Sequence, residues 1–201
     1  MFNIREKAPS SPGNVLLFIG SVQWYFGLLL AESWYPGYSS TIDYVSDLGT
    51  GPTASIYNAS VFLLGLCLVF ASYFLYDELK SRVFILLVFL TGVGCIGLGL
   101  FPANMQPMHS FATLIAILFG AFSAIASFRV QKPPLSYLSV ILGLVVLGAV
   151  VLFMPYLGLE VGSTETFLGI AKGSMERWAI YPLLAWMIIY SSSQFGTTNE
   201  V

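Results

Sequence analysis

The stretch VFILLVFLTGVGCIGLGLF, residues 83–101, contains no charged side chain and no proline. Its length is close to the roughly 20 residues that a helix needs to cross the hydrocarbon core of a membrane. Five further segments have similar length and composition, and the six spans are approximately 15–31, 56–76, 83–101, 109–128, 135–157 and 174–192. None alternates in polarity as the strands of a membrane barrel would. The sequence therefore predicts an all-α, polytopic membrane protein with six transmembrane helices in one bundle.

The composition argues against a soluble domain. The chain is 57% hydrophobic and only 9% charged, whereas a soluble domain has about 25% charged residues. The spans and their short loops use the whole of 1–201, so a single transmembrane domain is predicted. A net charge of −2 gives no reason to expect nucleic acid as a partner. Membrane lipids are the expected partners, with a homo-oligomer or another membrane protein as alternatives, and no cofactor is expected.

The lysine and arginine distribution predicts the orientation. With the N-terminus inside, the basic residues of the cytoplasmic segments are Arg5, Lys7, Lys80, Arg82, Arg129 and Lys132, and those of the outer loops are Lys172 and Arg177. We therefore expect both termini to be cytoplasmic and the protein to cross the cell membrane several times. The loops 32–55, 102–108 and 158–173 would then lie outside.

The N-terminus allows one alternative interpretation. Arg5 and Lys7 precede an apolar run, as in a secretory signal. The run is long for a signal, and it contains Gln23, Trp24 and Tyr25. A first span that is retained is therefore the favoured interpretation.

Polar residues that the spans do not explain lie at the predicted outer face. The stretch YVSDLGTGPTASIYNAS, residues 44–60, puts Asp47 beside a glycine-rich turn. The stretch FPANMQPMHS brings His109, the only histidine, to the start of the fourth span, and KGSMERWAIYP brings Glu176 and Arg177 to the start of the sixth. These side chains predict a polar site at one end of the bundle.

Each candidate also has a structural interpretation. Asp47 would cap a turn equally well, and His109 would suit either an interfacial hydrogen bond or proton transfer, especially beside a carboxylate that fixes its tautomer. The helix dipole favours Glu176 in a first turn. It disfavours Arg177 there unless an anion offsets the charge, such as Asp47, Asp43 or a lipid phosphate.

Other patterns are better explained by packing. The stretch GVGCIG, residues 92–97, matches a dinucleotide fingerprint, but that motif needs a preceding strand, and small residues in a span allow close helix packing. Asn58 begins a glycosylation sequon at the point where the second span starts, which favours a structural role. A single histidine cannot form a histidine-rich zinc site, and Cys67 and Cys95 lie within spans, so no metal site is predicted.

The order S-D-L-G, then F-P…H, then G-x-x-E-R…Y-P resembles the family catalogued as domain of unknown function 998, polytopic membrane proteins of archaea and bacteria. The resemblance covers most of the chain, from the first span to the sixth. The family pattern marks Ser46, Asp47, Leu48, Gly49, Asn58, Phe101, Pro102, His109, Gly173, Glu176, Arg177, Tyr181 and Pro182. More distantly, the layout is similar to that of the six-span Frag1/DRAM/Sfk1 proteins. The family's activity is unassigned, so the resemblance implies the fold and the site and not a reaction.

Three classes of function are compatible with these residues. A non-catalytic protein would bind a lipid headgroup or a membrane partner, and its polar residues would tie together the outer ends of helices two, four and six. This interpretation needs the fewest assumptions. A small-solute transporter is disfavoured because the spans hold almost no ionisable residues near the middle of the membrane.

The third class is a lipid-acting hydrolase or transferase. His109, oriented by Asp47, would be its base and Glu176 its acid, while Arg177 would hold an anionic headgroup with help from Lys172. The predicted catalytic residues are thus His109, Asp47 and Glu176, and the predicted ligand-binding residues are Arg177, Lys172, Ser46 and Asn58.

Overall fold

A computed structural model describes residues 11–157, 159 and 163–195, and these form six long helices and one small hairpin. The helices are α1 Pro12–Trp34, α2 Ala54–Glu78, α3 Arg82–Leu100, α4 Met108–Ala126, α5 Leu135–Phe153 and α6 Lys172–Ser193. The hairpin pairs β1 Thr166–Phe167 with β2 Ile170–Ala171 in antiparallel register. Short 3₁₀ helices lie between α1 and α2 at Val45–Gly49, after α4 at Ser127–Arg129 and after α5 at Met154–Tyr156. The predicted all-α class is confirmed, and Arg5 and Lys7 lie outside the described residues.

Successive helices pack side by side, and the last one returns to the first. Each helix contacts the next along the chain, α6 also contacts α1, and α4 touches α6 across the bundle. The rings of Phe18, near the start of α1, and Phe195, just after α6, lie 5.4 Å apart. The chain therefore starts and ends its helices at the same end, which we call the inner end after its predicted orientation, and the opposite end is the outer end.

In the described part of the chain five helices, α1 to α5, are long and apolar enough to cross a membrane, so the chain is a multi-pass membrane protein. Among the described residues, α6 does not reach that hydropathy. The lower hydropathy of α6 follows from its central position in the bundle. Thirteen of its 22 residues are buried, including Lys172, Glu176 and Arg177, whereas α5 buries five of 19. A hydropathy scale measures how well a helix suits a lipid environment, but most of the surface of α6 is in contact with the other helices and the first loop. The sixth span remains a prediction.

Helices α2, α3 and α4 approach closely through glycines. A Cβ atom added to Gly65 would lie 2.5 Å from the backbone nitrogen of Ile96, and one added to Gly94 would lie 2.4 Å from that of Ala116. Real side chains do not tolerate such distances, so the two helix pairs require glycine at these positions. The packing interpretation of GVGCIG is confirmed.

Tyr156 holds the hairpin against the end of α5. Its hydroxyl donates to the carbonyl oxygen of Ile170 at 2.7 Å and accepts from the backbone nitrogen of Phe167 at 3.2 Å. The side chain is 1% exposed. One hydroxyl thus satisfies the main chain of both strands, which are too short to be stable alone.

The Tyr156→Phe variant should therefore loosen the hairpin. Loss of these bonds is expected to cost about 1 kcal/mol and to speed hydrogen exchange at the amide of Phe167. Tyr137→Phe is the matched control, because Tyr137 is exposed and its hydroxyl has no hydrogen bond in the described part of the chain. Equal exchange rates in the wild type and in Tyr156→Phe would contradict this assignment.

Candidate functional site

The first outer loop, residues 35–53, folds over the helix ends and contains the 3₁₀ helix Val45–Gly49. The carboxylate of Asp47 accepts a hydrogen bond from the backbone nitrogen of Tyr44 at 2.9 Å, and the carbonyl of Asp47 accepts one from the nitrogen of Thr50 at 3.0 Å. Asp47 is 8% exposed. Its side chain thus caps the turn, as the structural interpretation of the sequence expects.

Glu176 joins α6 to this 3₁₀ helix. Its Oε2 accepts a hydrogen bond from the backbone nitrogen of Val45 at 2.5 Å, across 131 residues of sequence. The first N–H groups of a helical turn have no partner within the turn, and a carboxylate satisfies them well. The carboxylate of Glu176 is therefore committed to shaping the loop.

Arg177 lies at the centre of the outer polar network. Its Nη1 donates to backbone carbonyls, and its Nη2 and Nε donate to side-chain oxygens. The acceptors are the carbonyls of Ser40 at 2.6 Å, Gly173 at 3.0 Å and Asp43 at 3.4 Å, with Glu32 Oε1 at 2.5 Å, the Tyr38 hydroxyl at 2.7 Å and the Tyr181 hydroxyl at 3.1 Å. A guanidinium has five N–H groups, so none remains for another molecule.

Glu32, in the last turn of α1, is the anion that offsets Arg177. The sequence instead suggested Asp47, the carboxylate of Asp43 or a lipid phosphate. Asp43 contributes only its carbonyl, because its carboxylate accepts from the nitrogen of Ser39 at 2.8 Å. This expectation was wrong because the packing of α1 against α6, which no local pattern encodes, decides which carboxylate reaches the guanidinium.

Tyr38 completes the network as a neutral phenol. Burial raises the pKa of Tyr38 above its ordinary value, while the neighbouring Arg177 opposes that rise. The Tyr38 hydroxyl accepts from Arg177 and donates to the carbonyl of Tyr44 at 3.0 Å. The Tyr38 hydroxyl therefore links the guanidinium of Arg177 to the backbone of the first loop by two consecutive hydrogen bonds.

Lys172 is buried and belongs to the same network. It is 0% exposed, and its Nζ lies 4.7 Å from the centre of the Tyr44 ring. Burial raises the pKa of Asp47, and the Tyr44 N–H and the Lys172 ammonium partly offset that rise. Lys172 therefore acts on Asp47 and Tyr44 from within the protein. Its burial gives no support to its predicted role in holding a headgroup at the surface.

Asn58 anchors α2 to the first loop. Its Nδ2 donates to the carbonyl of Gly49 at 2.9 Å, and its Oδ1 is buried without a partner among the described residues. The amide is thus in use inside the protein, which supports a structural role. Asn58 ties α2 to the loop, Glu176 ties α6 to it, and Glu32 ties α1 to Arg177 of α6. The sequence instead led us to expect ties between helices two, four and six.

His109 is held by the backbone and not by Asp47. Its Nδ1 lies 2.8 Å from the carbonyl oxygen of Phe101. A carbonyl only accepts, so Nδ1 carries the hydrogen, and Nε2 of the neutral ring is left as an acceptor. His109 is 8% exposed, and Asp47 acts on it only electrostatically. The predicted orientation of His109 by a carboxylate was therefore wrong.

A narrow cavity of about 50 Å³ lies beneath the loop, among α1, α2, α3, α4 and α6. Ser46, Glu176 and His109 line its outer end, and its walls are mostly apolar down to Met187. Met187 lies eleven positions after Glu176 in α6, or about 16 Å along the helix. Three predicted site residues therefore meet at one cavity, whereas Asp47, Arg177 and Lys172 belong to the loop network above it.

Trp24 lines the deeper part of the cavity. It is 6% exposed, and its indole Nε1 is buried with no hydrogen-bond partner among the described residues. The sequence signal for Trp24 was an indole N–H in the middle of an apolar span, and that for Glu32 was a carboxylate at the end of one. The described residues contain no cluster of histidine, cysteine and carboxylate side chains that would hold a metal ion.

A family model described as "Protein of unknown function (DUF998)" matches residues 18–193. The matched region includes nearly all of the six helices and the whole outer network. No curated protein and no solved structure matches the chain. The distant similarity to the Frag1/DRAM/Sfk1 proteins is not confirmed by these comparisons.

Proposed function

The chain belongs to the DUF998 family, whose description names no activity, and we propose from the site itself that the protein binds an amphipathic lipid of the cell membrane without catalysis. The observation that carries the proposal is the cavity beneath the first loop. Its outer end is polar, its walls are apolar, and two hydrogen-bonding groups line it, the buried indole N–H of Trp24 without a partner among the described residues and the acceptor Nε2 of His109. The hydroxyl-bearing end of a lipid headgroup, with its carbon atoms against the apolar walls, matches this distribution.

The two hydrogen-bonding groups define the chemistry of the ligand. His109 Nε2 is free to accept a hydrogen bond, and the buried Trp24 Nε1 needs an acceptor. A buried polar group left without a partner costs about 1–3 kcal/mol, so a ligand that satisfies Trp24 Nε1 is stabilised by that amount. Hydroxyl groups can satisfy both. A phosphate suits the outer end poorly, because Glu176 lines it and the donors of Arg177 are in use.

The size of the cavity restricts which part of a lipid enters. A volume of about 50 Å³ holds on the order of three water molecules. It accommodates the hydroxyl-bearing end of a headgroup and not an entire lipid. The remainder of the molecule would lie between the outer ends of the helices.

The same contacts favour binding over catalysis. Acyl transfer needs a nucleophile within hydrogen-bond reach of a base, but no hydrogen bond joins Ser46 to His109 among the described residues. Glu176, the predicted acid, is engaged by the backbone of Val45. A transporter is supported still less, since below Glu176 no Asp, Glu, Lys or Arg side chain lines the described cavity.

The decisive experiment narrows the cavity and measures retained lipid. Cys95 lines the cavity and is 6% exposed, whereas Val93 on the same helix is 40% exposed toward the membrane. Mass spectrometry of gently purified protein is expected to find a hydroxyl-bearing lipid in the wild type and in Val93→Phe. Cys95→Phe should retain about tenfold less, which corresponds to 1.4 kcal/mol of binding free energy. Equal retention by Cys95→Phe would contradict the proposal.

A second variant separates binding from catalysis. His109→Ala should weaken retention and should leave the chemical identity of the bound lipid the same as in the wild type. If the wild type instead converts the retained lipid and His109→Ala does not, the lipid-acting enzyme replaces the binding protein as the assigned function. Loss of thermal stability with no specific lipid in any sample would show that the outer network is only structural.

A further inference from the structure

A second and larger recess lies at the opposite, inner end of the bundle. It is a groove of about 630 Å³ between α3, α4 and α5. Its walls are apolar, with Val83, Leu87, Phe122, Ile125 and Val140 among them, and Ser81 and Arg129 border it. The volume is within the range of about 300–1,000 Å³ that is typical of small-molecule sites. The groove shares no lining residue with the cavity under the first loop.

Arg129 differs from the other arginines of the described chain. Arg177 is enclosed by acceptors, and Arg82 lies over the Tyr76 ring and donates to the Tyr76 carbonyl. Arg129 is exposed, and no hydrogen bond or ion pair links its guanidinium to another described residue. Its planar fork of N–H groups matches the oxygens of a phosphate, and this pairing is stronger than a neutral hydrogen bond.

The charge at this end favours an anion. Lys80, Arg82 and Lys132 lie in the same inner connections as Arg129, against the two carboxylates of Asp77 and Glu78 at the end of α2. A basic residue near a membrane surface contributes about 1 kcal/mol to the attraction of anionic lipid. An apolar groove that opens toward lipid and ends at an unpaired arginine therefore presents both halves of a phospholipid site.

We propose that this groove binds one anionic phospholipid, with an acyl chain along α4 between α3 and α5 and the phosphate on Arg129. The acyl chain packs against the apolar walls and fills the space between the helices. The guanidinium takes the phosphate, and the surrounding lysines and arginines select an anionic over a zwitterionic headgroup. This site is independent of the proposed function of the outer cavity, so each stands or fails alone.

The test compares lipid binding by native mass spectrometry after titration with phosphatidylglycerol or phosphatidylcholine. The wild type should hold one phosphatidylglycerol in preference to phosphatidylcholine, and Arg129→Gln should weaken that binding about tenfold. Lys132→Gln removes the same charge at the same end but does not line the groove, so it should lose only the diffuse attraction of one charge and weaken binding clearly less than Arg129→Gln does. Inorganic phosphate should not displace the lipid, because it lacks the chain.

A second pair of variants tests the groove itself. Val140→Trp fills the groove from α5, whereas Ile141→Trp places the same bulk on the neighbouring, 56% exposed position. Only Val140→Trp should lose the lipid. All four side chains lie at least partly at the surface, so the variants should fold. Equal losses in Arg129→Gln and Lys132→Gln, or in both tryptophan variants, would overturn the site in favour of diffuse attraction, as would equal binding of the two phospholipids.

Discussion

Replacing Arg177 by alanine is expected to lower the free energy of unfolding by about 3–5 kcal/mol, the usual cost of removing one partner of a buried ion pair. The side chains of Arg177 and Glu32 are 9% and 19% exposed, so little water reaches the carboxylate that is left behind. The carbonyls of Ser40 and Gly173 lose their donors as well. Thermal and chemical unfolding of the purified protein in detergent measures the loss.

Three further variants define the cause. Arg129→Ala removes an arginine without hydrogen bonds and should change stability little. Arg177→Lys keeps the charge, but an ammonium has three donors for six acceptors, so most of the loss should remain. Arg177→Met combined with Glu32→Leu should be more stable than Arg177→Ala, because no unpaired carboxylate remains. If Arg177→Ala costs no more than Arg129→Ala, the guanidinium is not structural, and its predicted role as an anion clamp returns.

Gly173→Ala is expected to cost about 3 kcal/mol, at the upper end of the range for overpacking. A Cβ atom at this position would lie 2.2 Å from the carbonyl oxygen of Asp43 and 2.9 Å from that of Thr41. Both contacts are to backbone, so no rotamer change relieves them. The start of α6 must move away from the first loop, which breaks the bond from the nitrogen of Ser174 to Thr41 at 3.1 Å.

Gly148→Ala is the control for this substitution. No atom lies within 4 Å of a Cβ added to Gly148, and alanine in a helix interior is favoured over glycine by about 1 kcal/mol. Gly148→Ala should therefore leave the midpoint of unfolding unchanged or raise it. Similar losses in the two variants would show that the close approach of α6 and the first loop is not what makes Gly173 necessary.

The helices could be predicted from the sequence because burial in lipid requires long apolar runs. The predicted span 83–101 corresponds to α3 Arg82–Leu100, and 174–192 corresponds to α6 Lys172–Ser193. The fifth span was predicted to continue to 157, but α5 ends at Phe153 and a 3₁₀ turn follows. The 3₁₀ turn Met154–Tyr156 contains Pro155, which cannot donate a hydrogen bond within a helix, and the predicted span, drawn by its apolar character, ran past that signal.

The outer site could be located from the sequence, but its internal pairing could not. Asp47 caps its own turn by accepting from the backbone nitrogen of Tyr44, three residues earlier, and this was one of the two interpretations that the sequence left open. The partner of Arg177 is 145 residues away, and the orientation of His109 comes from a carbonyl that any residue at position 101 would supply. Such contacts depend on how whole helices pack against one another, and this packing cannot be deduced from the residues that neighbour Arg177 or His109 in the sequence.

The long separation between Glu32 and Arg177 also has a consequence for how the protein is made. Besides Asn58 of α2, the side chains that hold the first loop from below are Lys172, Glu176 and Arg177, and these three belong to the last helix to be synthesised. Until that helix is in place, Glu32 and the free N–H of Val45 have only water as a partner. The first loop can therefore reach its final structure at the outer end only after all six helices have been synthesised and inserted.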